Sequence, residues 1–287
     1  MPELPEVEIV KQSLITSVLS KKITNLIIKN KNLRFKIEKN LKKKIINKKI
    51  HNIFRKSKYL ILRFEPNEFL LIHFGMSGTL HKVKNNNKLK TNLSFYHSKN
   101  LPKKHNHIYF VFKNFKIIYN DPRRFGFIKY FKSFQKLKFF LRNYGPDPFE
   151  NSFNEEYLKQ YLKNKKKNIK NLLLDQKFIS GIGNIYANEI LFYCKINPLK
   201  KGKNISDNEI YKIFKLSKLV LRKAIRKGGS TIRDFKNSKG KRGSYQEVFA
   251  VYDRDKKNCK TINCKSKIIK INVSNRSTYI CNYCQKK

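Results

Sequence analysis

Residues 169–192 read IKNLLLDQKFISGIGNIYANEILF, and this stretch decides the fold of the central part of the chain. Apolar residues dominate its two ends, residues 169–174 and 185–192, and predict two helices. The segment Gly181-Ile182-Gly183-Asn184 between them is typical of a compact turn. The stretch therefore predicts a helix-turn-helix type of unit.

Two further helices are predicted outside this unit. Ser206-Asp207-Asn208-Glu209 is a capping box that starts a helix, and Gly228-Gly229 ends it. At the N-terminus, Pro5 suits a first helical turn, and apolar residues follow it at steps of three and four. These residues are Val7, Val10, Leu14 and Val18. The chain is therefore expected to open with an amphipathic helix that holds the terminal amine in place.

Between the first helix and the central unit, from about residue 58 to residue 130, short β-branched and aromatic runs predict strands. Turn signals such as Glu65-Pro66-Asn67-Glu68 separate the runs, which predicts an antiparallel sheet folded as a sandwich. The runs are residues 59–64, 69–74, 108–112, 115–119 and 126–131. Residues 81–104 are biased to Lys and Asn and are predicted to be a mobile loop.

The length of 287 residues exceeds the usual size of one domain. The patterns predict an α+β protein of several domains. A β-sandwich opened by a helix occupies residues 1–135, a helical domain occupies residues 150–235, and a cysteine-rich module occupies residues 245–287.

Charge is the most unusual feature of the composition. Lys and Arg number 66 against 19 acidic residues, which gives a formal charge of +47. Such an imbalance destabilises a compact fold unless a polyanion neutralises it, so nucleic acid is the expected partner. Part of the excess lies in a chain rich in Lys, Asn and Ile, a bias typical of AT-rich codon usage.

No segment of the chain resembles a targeting or membrane sequence. The N-terminus carries three acidic residues and two prolines within eight positions, which excludes a signal or transit peptide. No run approaches the ~18 apolar residues of a membrane span. The protein is therefore expected to be soluble and intracellular, where cysteines serve as thiols or metal ligands.

Four of the five cysteines fall in the last 29 residues, as two close pairs. Cys259 and Cys264 form C-x4-C, and Cys281 and Cys284 form C-x2-C after a gap of sixteen residues. Two such knuckles can place four thiolates around zinc, and a site with four sulfur ligands has no open position, so the zinc is predicted to be structural. Cys194 lies among apolar residues and is predicted to be a buried small hydrophobe.

The first residues offer a nucleophile. Proline at position 2 allows Met1 to be removed, which exposes a secondary amine. An α-amine titrates near pH ~8, well below the ~10.4 of lysine, and can attack a sugar carbon. The product would be an iminium, which withdraws electrons, and Glu3 and Glu6 could act as acid or base. The same residues could equally be only the lead-in to the first helix.

Several motifs together resemble the formamidopyrimidine-DNA glycosylase family. They occur in the order of that family over the whole chain. The motifs are the start MPELPEVE (residues 1–8), Lys58-Tyr59-Leu60, His73-Phe74-Gly75-Met76-Ser77-Gly78, Asp121-Pro122-Arg123-Arg124-Phe125-Gly126, Gly181-Ile182-Gly183-Asn184-Ile185-Tyr186-Ala187 and the terminal cysteines.

The resemblance implies a catalytic β-sandwich, a helix-two-turns-helix DNA-binding domain and a β-hairpin zinc finger with one structural zinc ion. It implies that the enzyme excises oxidised purines from DNA and then cleaves the strand. Pro2 would attack C1′ of the damaged nucleotide and Glu3 would be the acid. Lys58 would assist the eliminations and contact phosphate, and Arg276 would assist the second elimination.

The resemblance also implies the DNA contacts. Met76, Arg123 and Phe125 match residues that fill the gap left by the extruded base. Met76 would be an apolar wedge, Phe125 a stacking plane and Arg123 a donor for the orphaned cytosine. His105, Lys165, Lys170 and Asn184 match positions that grip phosphates near the lesion, and Asn184 also starts a helix. The partner would be double-stranded DNA with oxidised purines, bound by a monomer in the bacterial cytoplasm, at the nucleoid.

Three features depart from the pattern of the family. The first knuckle is C-x4-C where C-x2-C is usual, which puts the zinc geometry in doubt. The segment 81–104 is longer than usual. Arg233 replaces a common lysine in the loop that covers the lesion, which would alter recognition of the base.

Two rival functions remain open at this point. An enzyme of the endonuclease VIII type shares the proline, Glu3, the fold and the finger but removes oxidised pyrimidines; Leu4 and the motif at residues 121–126 favour the purine enzyme. A non-catalytic zinc-ribbon protein that binds nucleic acid would explain the charge and the cysteines, but it leaves Pro2, Glu3 and Lys58 unexplained. The sequence also allows an inactive, degenerate repair protein.

Overall fold

The computed structural model describes residues 2–84, 90–92, 102–230 and 244–286. The chain forms two compact units. The first contains residues 1–142 and 227–244, and the second contains residues 143–226 and 245–287. The break at residue 142 lies between the predicted boundaries at 135 and 150. The finger, however, falls in the same unit as the helical domain, and the described residues 227–230 and 244 fall in the unit of the sandwich.

The first unit contains two antiparallel sheets, as the predicted sandwich requires. A four-stranded sheet has the order β2-β3-β4-β9, and a five-stranded sheet has the order β1-β7-β8-β5-β6. The strands are β1 (Asn25–Ile28), β2 (Ile50–Lys56), β3 (Tyr59–Phe64), β4 (Glu68–His73), β5 (Thr79–Lys84), β6 (Lys90–Asn92), β7 (Asn106–Val111), β8 (Phe115–Asn120) and β9 (Phe127–Phe131).

Three helices accompany these sheets. They are α1 (Leu4–Val18), α2 (Leu41–Ile45) and α3 (Phe134–Leu141). The apolar face of α1, with Val7, Val10 and Leu14, packs into one core with the inner residues of both sheets, such as Leu62 and Ile117. The predicted opening helix is therefore confirmed, and its burial fixes the residues that precede it.

All five predicted strands are confirmed to within two residues at each end, and four others were missed. The strands β1 and β6 are too short to stand out by composition, and polar or charged residues interrupt the apolar pattern of β2 and β5. The prediction that residues 81–104 form one loop is wrong in part, because residues 81–84 belong to β5 and residues 90–92 form β6. Residues 85–89 and 93–101 lie outside the described part of the chain.

The second unit consists of helices and one β-hairpin. The helices are α4 (Glu155–Leu162), α5 (Ile169–Leu174), α6 (Asn184–Cys194) and α7 (Asp207–Arg226), and the hairpin is β10 (Ile269–Val273) with β11 (Arg276–Ile280). The predicted helix-turn-helix pair corresponds to α5 and α6. The predicted capping box of α7 is confirmed, since Ser206 N donates to Glu209 Oε2 at 2.8 Å.

The tip of the hairpin is a two-residue turn. Val273 pairs with Arg276, and the intervening Ser274 and Asn275 both have positive φ, at 49° and 59°. This is the backbone of a type I′ turn, whose twist matches that of the two strands. The turn places Arg276 at the exposed start of β11. Among the described residues, no helix is both long and apolar enough to cross a membrane.

Candidate active site and nucleic-acid interface

Predicted site residues lie just beyond the ends of three strands of the four-stranded sheet. β3 begins, β4 ends and β9 begins at the same end of this sheet, where Tyr59 lies opposite His73 and His73 lies opposite Phe127. The site residues carried just beyond this end are Lys58, Met76 and Phe125.

The same end of the five-stranded sheet carries two further site residues, Arg123 and His105. Asn120 at the end of β8 pairs with both Thr79, which starts β5, and Asn106, which starts β7. The connections 74–78 and 121–126 therefore join the two sheets at one end, and His105 lies immediately before β7. Five of the predicted residues are thus brought together, although the sequence spreads them from position 58 to position 125.

The Pro2-Glu3 start lies buried at the beginning of α1. Glu3 is the N-cap of the helix, and its backbone N–H donates to Glu6 Oε2 at 2.9 Å. This bond satisfies one of the amide groups that a helix leaves unpaired at its first turn. The backbone beside Pro2 is therefore fixed, and only 3% of the Glu3 surface is exposed.

Glu6 has a second set of partners that the sequence did not reveal. Its Oε1 accepts a hydrogen bond from Ser230 N at 2.8 Å and another from Ser230 Oγ at 2.9 Å. Glu6 therefore links the first turn of α1 to the residue that immediately precedes segment 231–243. That segment, which includes Arg233, lies outside the described residues.

An ion pair connects α1 to the turn that carries Lys58. Arg55 Nε donates to Glu8 Oε2 at 3.1 Å, and Arg55 Nη1 donates to the carbonyl of Ser57 at 2.8 Å. Burial acts to raise the pKa of Glu8, but the hydrogen bond from Lys11 and the charges of Lys11 and Arg55 outweigh it and lower the pKa below its ordinary value. Glu8 is therefore a carboxylate at neutral pH, and the ion pair holds the turn against the helix.

Lys58 shares its surroundings with His73, a residue to which sequence reasoning gave no role. Lys58 is largely buried, and burial together with the charges of Lys58 and Arg34 lowers the pKa of His73 to about 4. The backbone N–H of Gly75 donates to His73 Nδ1 at 3.2 Å, as a neutral imidazole permits. At neutral pH the ring therefore adds no charge of its own beside the Lys58 ammonium.

The three predicted gap-filling residues form one exposed group. Met76 is 39% exposed and Phe125 is 44% exposed. The Arg123 guanidinium lies 4.7 Å from the centroid of the Phe125 ring. Together they offer an apolar wedge, an aromatic plane and a planar donor at one point of the surface, as insertion into a base stack requires.

In the second unit, Lys170 and Asn184 meet the finger hairpin beside Arg276. Lys170 Nζ donates to the Ser277 carbonyl at 3.0 Å and to Thr278 Oγ1 at 2.6 Å, and Asn184 Nδ2 donates to the same carbonyl at 3.0 Å. Burial and the charge of Arg276 lower the pKa of Lys170 to about 8. Lys170 is fully buried and supports the hairpin, so this geometry does not present its ammonium to a phosphate as predicted.

The other predicted phosphate ligands lie nearer the surface. Lys165 is half-buried, with Nζ 4.6 Å from the centroid of the Tyr161 ring. His105 is also half-buried, and its carbonyl accepts a hydrogen bond from Asp121 N. Asn184 begins α6, and the dipole at the start of a helix favours an anion.

The four cysteines form a cluster that fits a tetrahedral metal ion. Their sulfur atoms all lie within 4.8 Å of one another, with Cys259 and Cys284 at 3.8 Å and Cys264 and Cys281 at 3.7 Å. Four thiolates around a zinc ion at ~2.3 Å would stand ~3.8 Å apart. The two observed distances agree, so the C-x4-C spacing allows all four sulfur atoms to reach one ion. The chain can therefore bind a metal ion here.

Two neighbouring residues of α6 hold the finger, and neither was predicted. The fully buried carboxylate of Glu189 accepts three backbone hydrogen bonds, from Ala250, Val251 and Tyr252, at 2.8 to 2.9 Å. Asn188 Oδ1 accepts one from Tyr279 N at 2.8 Å. In the sequence, the only signal is that Asn188 and Glu189 are polar residues in an otherwise apolar run of α6. This signal does not identify their hydrogen-bond partners.

A β-sandwich, a helix-two-turns-helix unit and a four-cysteine finger define a class of DNA glycosylases. The model of the formamidopyrimidine-DNA glycosylase N-terminal domain matches residues 1–128, and that of the formamidopyrimidine-DNA glycosylase H2TH domain matches residues 144–236. The formamidopyrimidine-DNA glycosylase of Rickettsia bellii is 42% identical over 287 residues, which is 100% of both chains. The chain belongs to the formamidopyrimidine-DNA glycosylase family.

Solved structures of the Lactococcus lactis Fpg protein agree with this assignment. A mutant of that protein in complex with DNA that contains Fapy-dG matches with a TM-score of 0.88 at 31% identity, over 100% of both chains. The wild-type protein in complex with DNA that contains an oxidised pyrimidine matches with a TM-score of 0.86, at the same identity and coverage. The predicted fold class, with its sandwich, helical domain and finger, is therefore confirmed.

Proposed function

We propose that this chain is a bifunctional DNA glycosylase and DNA-(apurinic or apyrimidinic site) lyase of base excision repair. Its substrate is double-stranded DNA that carries an oxidised purine, such as 8-oxoguanine or a formamidopyrimidine. The secondary amine of Pro2, freed when Met1 is removed, is the nucleophile. The observation that carries this proposal is the buried Pro2-Glu3 start, whose backbone is fixed by Glu6 within a chain of this family.

In the first step, the lone pair of Pro2 forms a bond to C1′ of the damaged nucleotide, and the bond from C1′ to the base breaks. The electron pair leaves with the base, which takes a proton from an acid. Glu3 is the candidate for this acid. It follows Pro2 directly in the chain and is buried.

Strand cleavage follows from the nature of the amine. The amine bonded to C1′ loses its proton, the bond from C1′ to O4′ breaks and O4′ takes up a proton. The product is an iminium, and this cation withdraws electrons without needing protonation. Loss of a proton from C2′ then expels the 3′ phosphate, with help from Lys58. A second elimination expels the 5′ phosphate, and Arg276 assists it from the exposed tip of the finger hairpin.

The proposed specificity is for oxidised purines rather than oxidised pyrimidines. Leu4 and the motif at residues 121–126 favour the purine enzyme. The Lactococcus lactis protein, however, has been crystallised with DNA that contains an oxidised pyrimidine. A second activity on oxidised pyrimidines is therefore worth measuring beside the first.

The proposal also covers the metal ion, the oligomeric state, the phosphate contacts and the location. The four-cysteine cluster would hold one structural zinc ion per chain. The chain would act as a monomer on double-stranded DNA, with His105, Lys165 and Asn184 at its phosphates and with Lys170 in a supporting position. The bacterial relatives support a place in the cytoplasm, and the proposed DNA substrate would place the chain at the nucleoid.

The test uses full-length protein with duplexes that carry 8-oxoguanine opposite cytosine or thymine glycol opposite adenine. We expect strand cleavage that favours 8-oxoguanine, and a covalent protein–DNA product when borohydride reduces the iminium. The product should map to the N-terminal peptide and disappear in Pro2→Gly. It should persist in Lys58→Ala and in the control Lys42→Ala, which removes an exposed lysine.

Glu3→Gln separates the two chemical steps. It should abolish base release but spare part of the cleavage at a preformed abasic site, because only base release needs a leaving-group acid. Trapping that maps to a lysine would contradict the proline mechanism. Absence of any trapped product would favour the non-catalytic binding protein, and a preference for thymine glycol would favour the endonuclease VIII type.

A further inference from the structure

Asp121 is a buried carboxylate to which the proposed function gives no role. It follows β8 and is the first residue of connection 121–126, and none of its surface is exposed. Removing a carboxylate from water is costly unless its oxygens are well hydrogen-bonded. The hydrogen-bond donors around Asp121 therefore explain why a carboxylate is stable in this position.

The two oxygens of Asp121 bind donors from both connections at this end of the sandwich. Oδ1 accepts a hydrogen bond from Ser77 Oγ at 2.5 Å, in connection 74–78. Oδ2 accepts one from Gly126 N at 2.8 Å, in connection 121–126, and one from the Tyr119 hydroxyl at 3.3 Å. Burial and the charge of Asp121 raise the pKa of Tyr119 well above its ordinary value, so the phenol remains a donor.

The backbone of Asp121 is itself held in place. Its N–H donates to the His105 carbonyl at 3.1 Å. Its carbonyl accepts hydrogen bonds from His107 Nε2 at 2.8 Å and from Arg124 N at 3.2 Å. The carboxylate is thus a fixed point to which the two connections are attached.

Each gap-filling residue is adjacent to a partner of this carboxylate or bonded to one. Met76 precedes Ser77, and Phe125 precedes Gly126. The hydroxyl of Ser77 also accepts a hydrogen bond from Arg123 N at 3.1 Å. Ser77 therefore joins the backbone of Arg123 to Asp121.

The two connections also touch directly, at Gly75. This residue has φ of +58°, and a Cβ there would stand 2.4 Å from Gly126 N and from the carbonyl carbon of Phe125. Only glycine allows so close an approach in this conformation. The hydrogen bonds of Asp121 therefore act on two segments that are already in contact.

We propose that Asp121 is a positioning residue for the gap-filling group, which fixes Met76 relative to Arg123 and Phe125 so that the three enter the duplex as one rigid unit. The preference for the base opposite the lesion then depends on Asp121, although it is buried beneath the group. This inference rests on the proposed function, which assigns gap filling to those three residues.

Asp121→Asn keeps the shape of the side chain but turns one acceptor into a donor. In one orientation its NH2 faces Ser77, and in the other it faces Gly126 and Tyr119. If the NH2 faces Ser77, the second lone pair of the Ser77 oxygen can accept from it beside Arg123 N, but the Ser77 O–H then loses Asp121 as its acceptor. We expect the preference for cytosine over adenine to fall by about ten-fold, the loss expected for one hydrogen bond to a charged group.

The experiment measures binding to a duplex with a tetrahydrofuran abasic analogue opposite cytosine or adenine, so that no chemistry is required. Fluorescence of a pyrrolocytosine opposite the analogue reports whether that base is held. The variants are Asp121→Asn, Ser77→Ala and Ser77→Thr, and binding to a single strand with the same analogue is measured beside each. Thr79→Val is the matched control, because its buried hydroxyl bonds to His81 and to the Asn120 carbonyl at the same end of the sheet.

The inference predicts that Asp121→Asn and Ser77→Ala lose preference and change the fluorescence, that Ser77→Thr restores both, and that Thr79→Val behaves as the wild type. Binding to the single strand, which has no opposite base, should change by less than about two-fold in every variant that folds. Unchanged preference in Ser77→Ala would overturn the inference even if Asp121→Asn failed to fold. Equal losses on duplex and single strand would overturn it as well. If the wild-type protein showed no preference for cytosine over adenine, the inference would be refuted. The borohydride trapping test of Pro2 would be unaffected by that result.

Discussion

Glu6 and Ser230 are 224 positions apart in the chain, yet the carboxylate of Glu6 accepts hydrogen bonds from both the backbone N–H and the hydroxyl of Ser230. The same carboxylate binds the backbone of Glu3. One buried side chain therefore holds the residue beside the proposed nucleophile and the residue that precedes segment 231–243.

This arrangement predicts that Glu6→Gln destabilises the protein. An amide has one acceptor oxygen, so at least one buried donor at Glu3 or Ser230 loses its partner. The cost should be about 1 to 3 kcal/mol in the free energy of unfolding, measured by urea denaturation. Glu156→Gln makes the same change on an exposed carboxylate and should stay within about 0.5 kcal/mol of the wild type. Equal stability of both variants would contradict the role given to Glu6.

His73 predicts a pH dependence of stability. Its pKa is about 4 in the folded protein and near 6.5 in an unfolded chain, so the unfolded state binds more protons between these values. Stability should therefore rise with pH across this window and be lost as the pH falls through it, by no more than about 3 kcal/mol.

His73→Asn tests this dependence. The variant should show a shallower slope of unfolding free energy against pH between about 4 and 6.5 than the wild type. His51→Asn makes the same substitution at an exposed histidine and is measured beside it for comparison. Identical slopes in His73→Asn and the wild type would reject the buried neutral imidazole.

Arg123→Ala should weaken discrimination for cytosine opposite the lesion. The guanidinium stacked on Phe125 is the proposed donor to that base, and one good base contact is worth about 1 to 3 kcal/mol. The ratio of cleavage rates opposite cytosine and adenine measures the effect. Arg142→Ala removes another arginine that lies over a phenylalanine ring and should leave the ratio unchanged. A preserved preference in Arg123→Ala would remove Arg123 from this role.

Zinc removal should abolish DNA binding, because the metal ion would hold the finger together and take no part in the chemistry at Pro2. Metal analysis is expected to find one zinc ion per chain, and Cys281→Ser or Cys284→Ser should lose both the metal and the affinity. Cys194→Ala, which changes a buried cysteine outside the cluster, should retain both. Active protein without zinc, or full affinity in the serine variants, would contradict a structural metal site.

Binding should depend strongly on salt. Each neutralised phosphate contributes a slope of about −0.9 in log K against log salt, so ~6 contacts give about −5. Titrations of the wild type and Lys165→Ala should differ by about one unit of slope if Lys165 contacts one phosphate. A wild-type slope near −1 would be incompatible with a protein that grips the backbone at several points.

Local patterns accounted for much of the architecture. The periodicity of α1, the capping box of α7 and the apolar runs of β3 and β4 are properties of neighbouring residues, and the structure follows them. The strands β2 and β5 were missed, because polar and charged residues interrupt their apolar pattern. The place of β5 also depends on pairing with the distant strand β8, which composition does not record.

The sequence by itself determined the family, the α+β class, the four thiols that fit a metal ion and the candidate nucleophile at Pro2, because these are encoded in residue types at short, fixed spacings. Only the tertiary structure decided that Asp121 binds both connections of the sandwich, that Glu6 holds Ser230 and that Lys170 supports the finger hairpin. Each of these contacts joins groups far apart in the chain, and a buried charge finds its partners only when packing has brought their donors within hydrogen-bonding distance.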